Sequence, residues 1–461
     1  MKFVQYYLDC LSQASYLIGD TTSGRAVVVD PRRDVEIYLA DAESERLRIE
    51  LVVETHFHAD FLSGHLELAA ACGAEVAYGA AAEPDFPVRH LHDGERISLG
   101  EVVLDVLETP GHTPESISLV VWGRADDRVP YGVLTGDTLF IGDVGRPDLL
   151  GSVGFTADDM ARRLYRSLHE KLLGLPDATR VFPAHGAGSA CGRNLSTEKW
   201  STIGEQRRLN YALKAMSEDD FVALVTEGQP TAPGYFGYDA ALNRQAHALL
   251  DEHAELVAMD VDAVLAARRA GAIVLDVRPS AEYAAGHLRG ALQAGLDSRF
   301  AEFAGSVIPV DTPIVLAGAP GSEVEAKVRL ARIGFDRVVG YLPDLLEVLT
   351  DRPELAARSS LLTPVQLAER RAEVADLQVV DVRNSGEVAH GMLAGAVHLP
   401  LAALRERLGE LDPARPVAVY CAGGVRSMIA ASLLEEQGFT DASSVLGGYD
   451  AIAREPALVE G

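Results

Sequence analysis

The sequence predicts a multidomain α/β protein, and three observations support that prediction. The chain has 461 residues, which is enough for about two to four domains with separate cores. Its C-terminal half contains an internal repeat, which points to duplicated domains. Within each copy, short β-branched runs alternate with helical patterns, which is typical of a parallel sheet with crossover helices.

The repeat is visible in matching segments that contain the same short motif. IVLDVRPSAEYAAGHLRGAL returns as VVDVRNSGEVAHGMLAGAVHLP, with Asp276 and Asp381 at equivalent positions. Further on, PIVLAGAPGSEVEAKVRLARIGF matches PVAVYCAGGVRSMIAASLLEEQGF. We therefore expect small α/β domains at residues 255–352 and 360–461, preceded by a larger domain at residues 1–240.

The N-terminal block differs from the repeats, because its short strands are followed at once by polar stretches. The expected strands are 26–29, 51–54, 102–107, 118–121 and 132–135. Loops that leave the ends of buried strands are where α/β folds place their chemistry. PTAPGYFGYDAALN, residues 230–243, is rich in turn formers and aromatic residues and indicates a linker to the repeats.

Composition and charge exclude several classes of partner. Apolar residues make up 48% and charged residues 24% of the chain, as in globular proteins. The 41 basic against 68 acidic residues give a net charge of -27, which repels nucleic acid and anionic lipid. Neither a membrane span nor a signal peptide is indicated, and the four cysteines have no CxxC spacing. We expect a cytoplasmic protein without nucleic-acid or membrane partners.

Several side chains that can bind metal come directly after apolar, β-like segments. They are His56, His58, Asp60, His112, Asp137 and His185. Because each follows a strand-like run, they can converge at one edge of a sheet, as a metal site assembled from distant loops requires. The sequence therefore predicts a metal site, although any single loop histidine could instead have a structural role.

The motifs THFHAD, PGHT, TGDTLF and PAHG resemble those of the metallo-β-lactamase superfamily, over roughly residues 1–240. The resemblance implies an αββα sandwich, in which two sheets are flanked by helices. In the dinuclear zinc hydrolases of this superfamily, such as glyoxalase II, the first motif is HxHxDH. This chain has Phe61 in place of the last histidine, so a second metal would lose a ligand there.

His56, His112 and Asp137 remain, and they offer two imidazoles and one carboxylate to a single ion. Such a set suits non-haem Fe(II), which keeps open positions for substrate and O2. It resembles the persulfide dioxygenase branch of the superfamily, which implies one Fe(II) per N-terminal domain and a small thiol persulfide as substrate. The residues that would orient these ligands or the substrate, or simply make loop hydrogen bonds, are His58, Asp60 and His185.

Arg146, in the segment IGDVGRPDLLG, is a candidate to bind a carboxylate or the tail of a thiol substrate. The alternative is an ion pair with Asp143 or Asp148. Glutathione-using members of the family tend to carry a basic residue after a helical LN pair, whereas Tyr211 follows that pair here. Glutathione, coenzyme A and another low-molecular-weight thiol all stay open as the persulfide carrier.

The second repeat copy contains a cysteine loop, CAGGVR, that follows a strand and precedes a helix. The backbone N–H groups of Gly423 and Gly424, the helix N-terminus and Arg426 favour a thiolate at Cys421. The loop resembles the active-site loop of rhodaneses, sulfurtransferases in which the cysteine carries a persulfide. The resemblance implies that Cys421 and Arg426 are catalytic.

Two further positions affect this interpretation. The first repeat copy has Ala317 at the cysteine position and Ser322 at the arginine position, so we expect that domain to be an inactive rhodanese-like domain. Cys191, in HGAGSACGRN, follows His185 closely and is either a sulfur relay or a small residue packed in a turn.

Together, these resemblances imply a persulfide dioxygenase fused to a sulfurtransferase in bacterial sulfide detoxification. The metal site would convert persulfide and O2 to sulfite and thiol, and Cys421 would form or use thiosulfate, in a direction that stays open. The alternatives are a dinuclear zinc thioester hydrolase of the glyoxalase II type fused to a sulfurtransferase, and a sulfur-binding sensor without turnover. The resemblance also implies a homo-oligomer, either a dimer or a tetramer.

Overall fold

The structure is a computed structural model that describes residues 1–149, 154–193 and 195–459. The chain forms two compact units. The first comprises Met1–Pro230 and Phe236–Leu250, and the second comprises Thr231–Tyr235 and Asp251–Gly461. None of the helices in the described ranges is long and apolar enough to cross a bilayer.

Two six-stranded sheets form the centre of the first unit. Its strands are β1 (Lys2–Leu8), β2 (Gln13–Asp20), β3 (Arg25–Val29), β4 (Arg48–Val53), β5 (Glu75–Gly79), β6 (Arg89–Leu91), β7 (Arg96–Ser98), β8 (Val103–Glu108), β9 (Ile117–Trp122), β10 (Gly132–Gly136), β11 (Arg180–Pro183) and β12 (Ser201–Thr202). The first sheet has the order β1-β2-β3-β4-β5-β6, and the second has the order β12-β11-β10-β9-β8-β7.

The side chains of each strand point alternately to the two faces of its sheet, which explains how both faces are buried. In β2, Tyr16 and Ile18 point into the core between the sheets, whereas Leu17 belongs to the cluster on the outer face. Successive side chains of a strand point to opposite faces, so a continuous apolar run fills two layers. The sheets are therefore packed against each other and also need a cover of helices.

The described part of the first unit has six α-helices, most of which pack on the outer faces of the sheets. They are α1 (Glu36–Ser44), α2 (His65–Cys72), α3 (Ala157–Arg166), α4 (Ile203–Leu209), α5 (Glu218–Thr226) and α6 (Phe236–Leu242). Tyr38 of α1 and Leu68 of α2 pack against the first sheet, and Leu164 of α3 and Phe221 of α5 pack against the second. The predicted αββα sandwich is confirmed.

The second unit contains two parallel sheets, one for each repeat copy. Its strands are β13 (Ile273–Asp276), β14 (His287–Leu288), β15 (Leu292–Gln293), β16 (Ile314–Ala317), β17 (Val338–Leu342), β18 (Ala356–Ala357), β19 (Ser360–Leu362), β20 (Gln378–Asp381), β21 (Val397–His398), β22 (Val417–Tyr420) and β23 (Ala442–Val445). The parallel sheets have the orders β15-β13-β16-β17 and β19-β23-β22-β20-β21.

Helices surround these sheets, as the alternating sequence pattern predicts. They are α7 (Val261–Arg269), α8 (Ser280–Ala285), α9 (Phe300–Val307), α10 (Ser322–Ala331), α11 (Leu345–Asp351), α12 (Pro364–Glu373), α13 (Ser385–Val388), α14 (Leu401–Leu404), α15 (Val425–Glu436), α16 (Gly448–Ile452) and α17 (Pro456–Val459). The prediction of two α/β domains with parallel sheets is therefore confirmed.

Helix α15 links the two α/β domains of the second unit. Met428 on α15 packs in the core cluster of the first α/β domain, and the Ser432 hydroxyl accepts a hydrogen bond from the Gln293 backbone N–H at 3.0 Å. All residues from Ser427 to Leu434 are buried. Residues 427–434 are accordingly apolar or small on every side of the helix, because none of them faces solvent.

The segment 230–243 differs from the linker that its composition indicates. It contains α6, and both Phe236 and Asn243 are buried. The segment is therefore rich in turn formers, although its residues 236–243 pack within the first unit. Composition alone does not report burial, which depends on contacts with residues distant in sequence.

Candidate metal centre and cysteine loop

The predicted metal ligands lie at the carboxyl ends of strands that point to one edge of the sandwich. His56 follows β4, His112 follows β8 and Asp137 follows β10. Strands β8 and β10 both run antiparallel to β9, so they run in the same direction and end at the same edge. The backbone N–H of Ile117 donates to the Thr55 carbonyl at 2.9 Å, which ties the loop after β4 to the second sheet.

The three ligand groups approach one another closely. Nε2 of His112 lies 3.4 Å and Nε2 of His56 lies 3.8 Å from Oδ2 of Asp137. Bonds of about 2.1 Å to one ion place neighbouring ligand atoms roughly 3.0–3.5 Å apart. Within the described part of the chain, Nε2 of His56 and Oδ2 of Asp137 are buried without a hydrogen-bond partner, so these residues fit a bound cation.

Hydrogen bonds to the other ring nitrogens define the tautomers of the two histidines. Nδ1 of His112 lies 2.9 Å from the Arg146 carbonyl, which can only accept, so Nδ1 carries the proton. Nδ1 of His56 lies 2.9 Å from the Thr55 hydroxyl, which itself donates to Asp30 at 2.8 Å. Both Nε2 atoms therefore present a lone pair on the side where Oδ2 of Asp137 lies, as metal-binding histidines present one to their ion.

The electrostatic environment favours the protonation states that bind metal. Burial, together with the neighbouring His58, lowers the pKa of His56 well below its ordinary value and keeps that imidazole neutral. Burial alone would raise the pKa of Asp137, but the surrounding imidazoles of His185, His56 and His112 hold it below its usual range. A neutral imidazole and an ionised carboxylate are the forms that coordinate metal.

Gly136 allows Asp137 to reach this position. It has a positive φ of 49°, and a Cβ on it would lie 2.8 Å from the Thr55 hydroxyl oxygen. A side chain here would face both backbone strain and a steric clash. The glycine in the TGD motif therefore brings the end of β10 against the loop after β4.

A second group, formed by Asp60, His185 and Cys191, lies beside the first. Nδ1 of His185 is 2.7 Å from Oδ1 of Asp137, and its Nε2 is 2.8 Å from Oδ2 of Asp60. Burial opposes the charged imidazole, but these two carboxylates raise the pKa of His185 well above its ordinary value. His185 thus bridges the two carboxylates and holds the candidate ligand Asp137 in its orientation.

The thiol of Cys191 is buried in the same group. Burial, with Asp60 and Asp137 nearby, raises the pKa of Cys191 well above its ordinary value. A thiol that stays protonated is a weak nucleophile, so its surroundings favour a packing role. The sulfur-relay role of Cys191 stays a prediction.

His58 and Phe61 lie next to the ligands without joining them. Nε2 of His58 is 3.1 Å from Asp30 and 3.4 Å from Glu54. Burial opposes its charge, but Asp30 and Glu54 raise the pKa of His58 to about 10. The Phe61 ring lies 4.3 Å from the His58 ring between centroids and is buried, so an apolar wall stands where dinuclear enzymes of the superfamily place a ligand.

The guanidinium of Arg146 is engaged in a forked ion pair. Its Nε and Nη2 donate to the two carboxylate oxygens of Asp148 at 2.7 and 2.8 Å, and its Nη1 donates to the Ala190 carbonyl at 3.1 Å. Most of the guanidinium's donors are therefore occupied within the protein. This geometry favours the ion-pair interpretation of Arg146 over the substrate-binding one.

Asn243 supports the loop that contains His58 and Phe61, a contact that the sequence does not predict. Its side-chain amide donates to the carbonyls of His58 at 2.8 Å and Phe61 at 2.9 Å, and its carbonyl accepts from the Ser63 N–H at 2.9 Å. Every polar atom of this buried side chain is thus used to hold the loop. The only signal in the sequence is a polar residue at the end of an amphipathic stretch.

Replacing Asn243 with alanine is expected to destabilise the first unit by about 2–3 kcal/mol, because three buried backbone groups lose their partner. Hydrogen–deuterium exchange of peptides that cover residues 55–65 should become faster, and metal content should fall. The exposed neighbour Gln245 provides the control, and Gln245→Ala should change neither measurement. Unchanged exchange in the Asn243 variant would contradict the supporting role.

The cysteine loop lies at the carboxyl end of β22 in the second α/β domain. Helix α15 begins at Val425, so Arg426 lies in the first helical turn and not in the preceding loop. The Gly424 N–H points at Sγ of Cys421 at 3.1 Å, and Gly424 has a φ of 110° that glycine adopts without strain. This hydrogen bond can stabilise negative charge on the sulfur.

Arg426 does not point its charge at the sulfur alone. Its Nη1 and Nη2 donate to the two carboxylate oxygens of Glu387, both at 2.7 Å. The site predicted from the sequence does not include Glu387, although the repeat contains a signal for it, because Glu282 occupies the same position in the first copy. Gly423 lies in the same loop, and the residues predicted for the cysteine site are therefore close together.

Comparisons with known proteins agree with both parts of this architecture. The family model of the metallo-beta-lactamase superfamily matches residues 8–185, and the rhodanese-like domain model matches residues 260–344 and 363–455. The mitochondrial persulfide dioxygenase ETHE1 of Homo sapiens is 31% identical over 215 residues, which cover 46% of this chain and 75% of that protein.

Two other comparisons extend the similarity. A beta-lactamase hydrolase-like protein of Agrobacterium fabrum is 32% identical over 251 residues, covering 47% of this chain and 54% of that protein. The crystal structure of a metallo-beta-lactamase from Staphylococcus aureus has a TM-score of 0.67 and 33% identity, and the match covers 74% of this chain and 98% of that one. The chain belongs to the metallo-beta-lactamase superfamily, as a homologue of persulfide dioxygenases joined to two rhodanese-like domains.

Proposed function

We propose that the first unit oxidises a low-molecular-weight thiol persulfide with O2 at a single Fe(II), and that Cys421 transfers sulfane sulfur. The observation that carries the proposal is the convergence of His56, His112 and Asp137, whose ligand atoms face one point. Two imidazoles and one carboxylate leave positions open for other ligands, the arrangement typical of Fe(II) oxygenases. The persulfide dioxygenase relatives give the reaction class.

The overall reaction balances with water as the source of the third oxygen. R–S–SH, O2 and H2O give R–SH, sulfite and two protons. When bound, Fe(II) supplies coordination positions that hold persulfide and O2 together. The protein holds its ligands in fixed tautomers, and the buried loops around them limit the access of water to the reactants.

Cys421 would connect the oxidation to sulfur transfer. A Cys421 persulfide that is attacked by sulfite gives thiosulfate and regenerates the thiolate, while the reverse reaction makes sulfite and the cysteine persulfide. The loop N–H of Gly424 favours the thiolate that leaves in the first direction. Such a sequence would suit sulfide detoxification in a reducing cytoplasm, with a homo-oligomer as the expected assembly.

One observation favours the dinuclear zinc thioester hydrolase. Asp60, His185 and Cys191 lie close enough together to hold a second ion. Against it, both nitrogens of His185 already face carboxylates, and the thiol of Cys191 is held protonated. A neutral imidazole and a thiolate would be needed for metal binding, so we favour the single-ion function.

Metal analysis combined with an oxygen electrode separates the two functions. Protein prepared without air is expected to contain one iron per chain and to consume one O2 for each persulfide that is oxidised to sulfite. Removal of the metal with a chelator should stop O2 uptake, and Fe(II) should restore it better than Zn(II). Two zinc ions per chain together with cleavage of S-lactoylglutathione under argon would establish the hydrolase instead.

A further inference from the structure

Glu387 is the principal partner of the cation beside the cysteine loop. It lies on α13, and its carboxylate forms the forked pair with Arg426 described above. The Glu387 Oε2 atom also accepts a hydrogen bond from the Asn384 N–H at 2.9 Å, which fixes the carboxylate at the start of that helix. The exposed fractions of the two side chains are 17% for Arg426 and 33% for Glu387.

This pair neutralises the charge that would otherwise attract an anionic sulfur donor. A forked arginine–carboxylate pair uses the same planar donors that bind the oxygens of a sulfonate or sulfate group. Thiosulfate carries two negative charges, so it must displace Glu387 or bind close to it. A persulfide carries at most one charge on its reacting sulfur and needs no oxyanion contact.

The first repeat copy contains the same acidic position without the pair. Glu282 lies on α8 at the position of Glu387, whereas Ser322 replaces Arg426. Glu282 forms no ion pair in the described part of the chain, and its side chain is exposed. The chain therefore contains its own matched control for a change of this residue.

We propose that Glu387 determines the donor specificity of Cys421, because it holds Arg426 away from oxyanions and so favours persulfides over thiosulfate. This inference rests on the sulfur transfer proposed above. Glu302 on α9 also acts electrostatically on Arg426, but its carboxylate forms an ion pair with Arg299. Glu387 is thus a positioning residue that acts through Arg426.

The reaction that tests this role begins with attack on the sulfane sulfur. With thiosulfate, the Cys421 thiolate forms a new S–S bond, the bond from the sulfane sulfur to the sulfonate group breaks, and sulfite leaves with the electron pair. Cyanide then attacks the terminal sulfur, which gives thiocyanate and restores the thiolate. With a persulfide donor, a thiolate leaves in place of sulfite.

The experiment measures thiocyanate formation by the full-length holoprotein, with either thiosulfate or 2-hydroxyethyl persulfide as donor. In Glu387→Gln the KM for thiosulfate is expected to fall about three- to tenfold, the scale of one partly exposed charge interaction. The kcat with thiosulfate and the KM for the persulfide should change less than twofold. Glu387→Asp keeps the charge and should resemble the wild type, as should Glu282→Gln.

Each possible result bears on one of the two proposals. An unchanged or raised KM for thiosulfate in Glu387→Gln, in protein whose thermal unfolding matches the wild type, overturns the specificity role. An equal fall in Glu282→Gln would also overturn it, because the effect would then be one of net charge. If the wild type forms no thiocyanate from either donor, sulfur transfer itself is refuted.

Discussion

Replacing His112 with alanine is expected to abolish iron binding at the proposed site and, with it, persulfide-dependent O2 uptake. Loss of a residue that only supports a ligand commonly costs 10–100-fold in metal affinity, so loss of a ligand should cost more than about 100-fold. His112 supplies one of the two Nε2 atoms that face Asp137, at 3.4 Å, and its loop offers no second imidazole in its place. Iron content and an oxygen electrode measure the two effects.

His90 provides the matched control for this variant. It lies in the same unit on β6 and is exposed, so His90→Ala should keep both iron and O2 uptake. Sulfur transfer from thiosulfate to cyanide should survive in the His112 variant, because Cys421 belongs to the other unit. Full iron content in His112→Ala would refute the ligand assignment.

Replacing Cys421 with serine is expected to abolish sulfur transfer while O2 uptake stays within about twofold of the wild type. The proposed nucleophile is the sulfur that accepts the hydrogen bond from the Gly424 N–H, and a hydroxyl cannot form a persulfide. Loss of the nucleophile should reduce thiosulfate formation on the order of a thousandfold or more. Thiosulfate and sulfite are measured together after addition of persulfide, and sulfite should accumulate in the variant.

Cys72 is the control for a general effect of removing a thiol. It lies at the end of α2, and its thiol donates a hydrogen bond to the Leu68 carbonyl. Cys72→Ser should therefore leave both activities unchanged. Thiosulfate formation by Cys421→Ser at the wild-type rate would show that another group carries the sulfur. Loss of O2 uptake in the same variant would show that the two sites do not act separately.

The convergence of the candidate metal ligands could be predicted from the sequence, because the strands that they follow determine where they lie. His56, His112 and Asp137 each follow an apolar strand, and the carboxyl ends of such strands meet at one edge. The Cys421 loop could also be predicted, because a strand, a glycine-rich turn and a helix follow one another directly. Short-range patterns therefore indicated the place of the candidate site in each unit.

Side-chain partners were much harder to predict. Asn243 supports a loop that lies more than 180 positions earlier in the chain, and Glu387 reaches Arg426 across 39 positions. Arg146 is the opposite case, because its partner Asp148 lies only two positions away and is a candidate from the sequence. Only the structure distinguishes this ion pair from a substrate contact. Such contacts depend on tertiary packing, for which a single sequence has no periodic signal.

The route of the chain between its units affects how the protein can be divided. Residues 231–235 belong to the second unit, but the chain then returns to the first for residues 236–250. There the Ala248 carbonyl accepts a hydrogen bond from the buried Arg33, and the Leu250 N–H donates to Glu67. Proteolysis at Pro230 would therefore release an N-terminal fragment that lacks residues 236–250 of the first unit. A cut after Leu250 would keep those residues in the fragment. Any separation of the first unit from the second, by evolution or in the laboratory, must therefore place the boundary after Leu250.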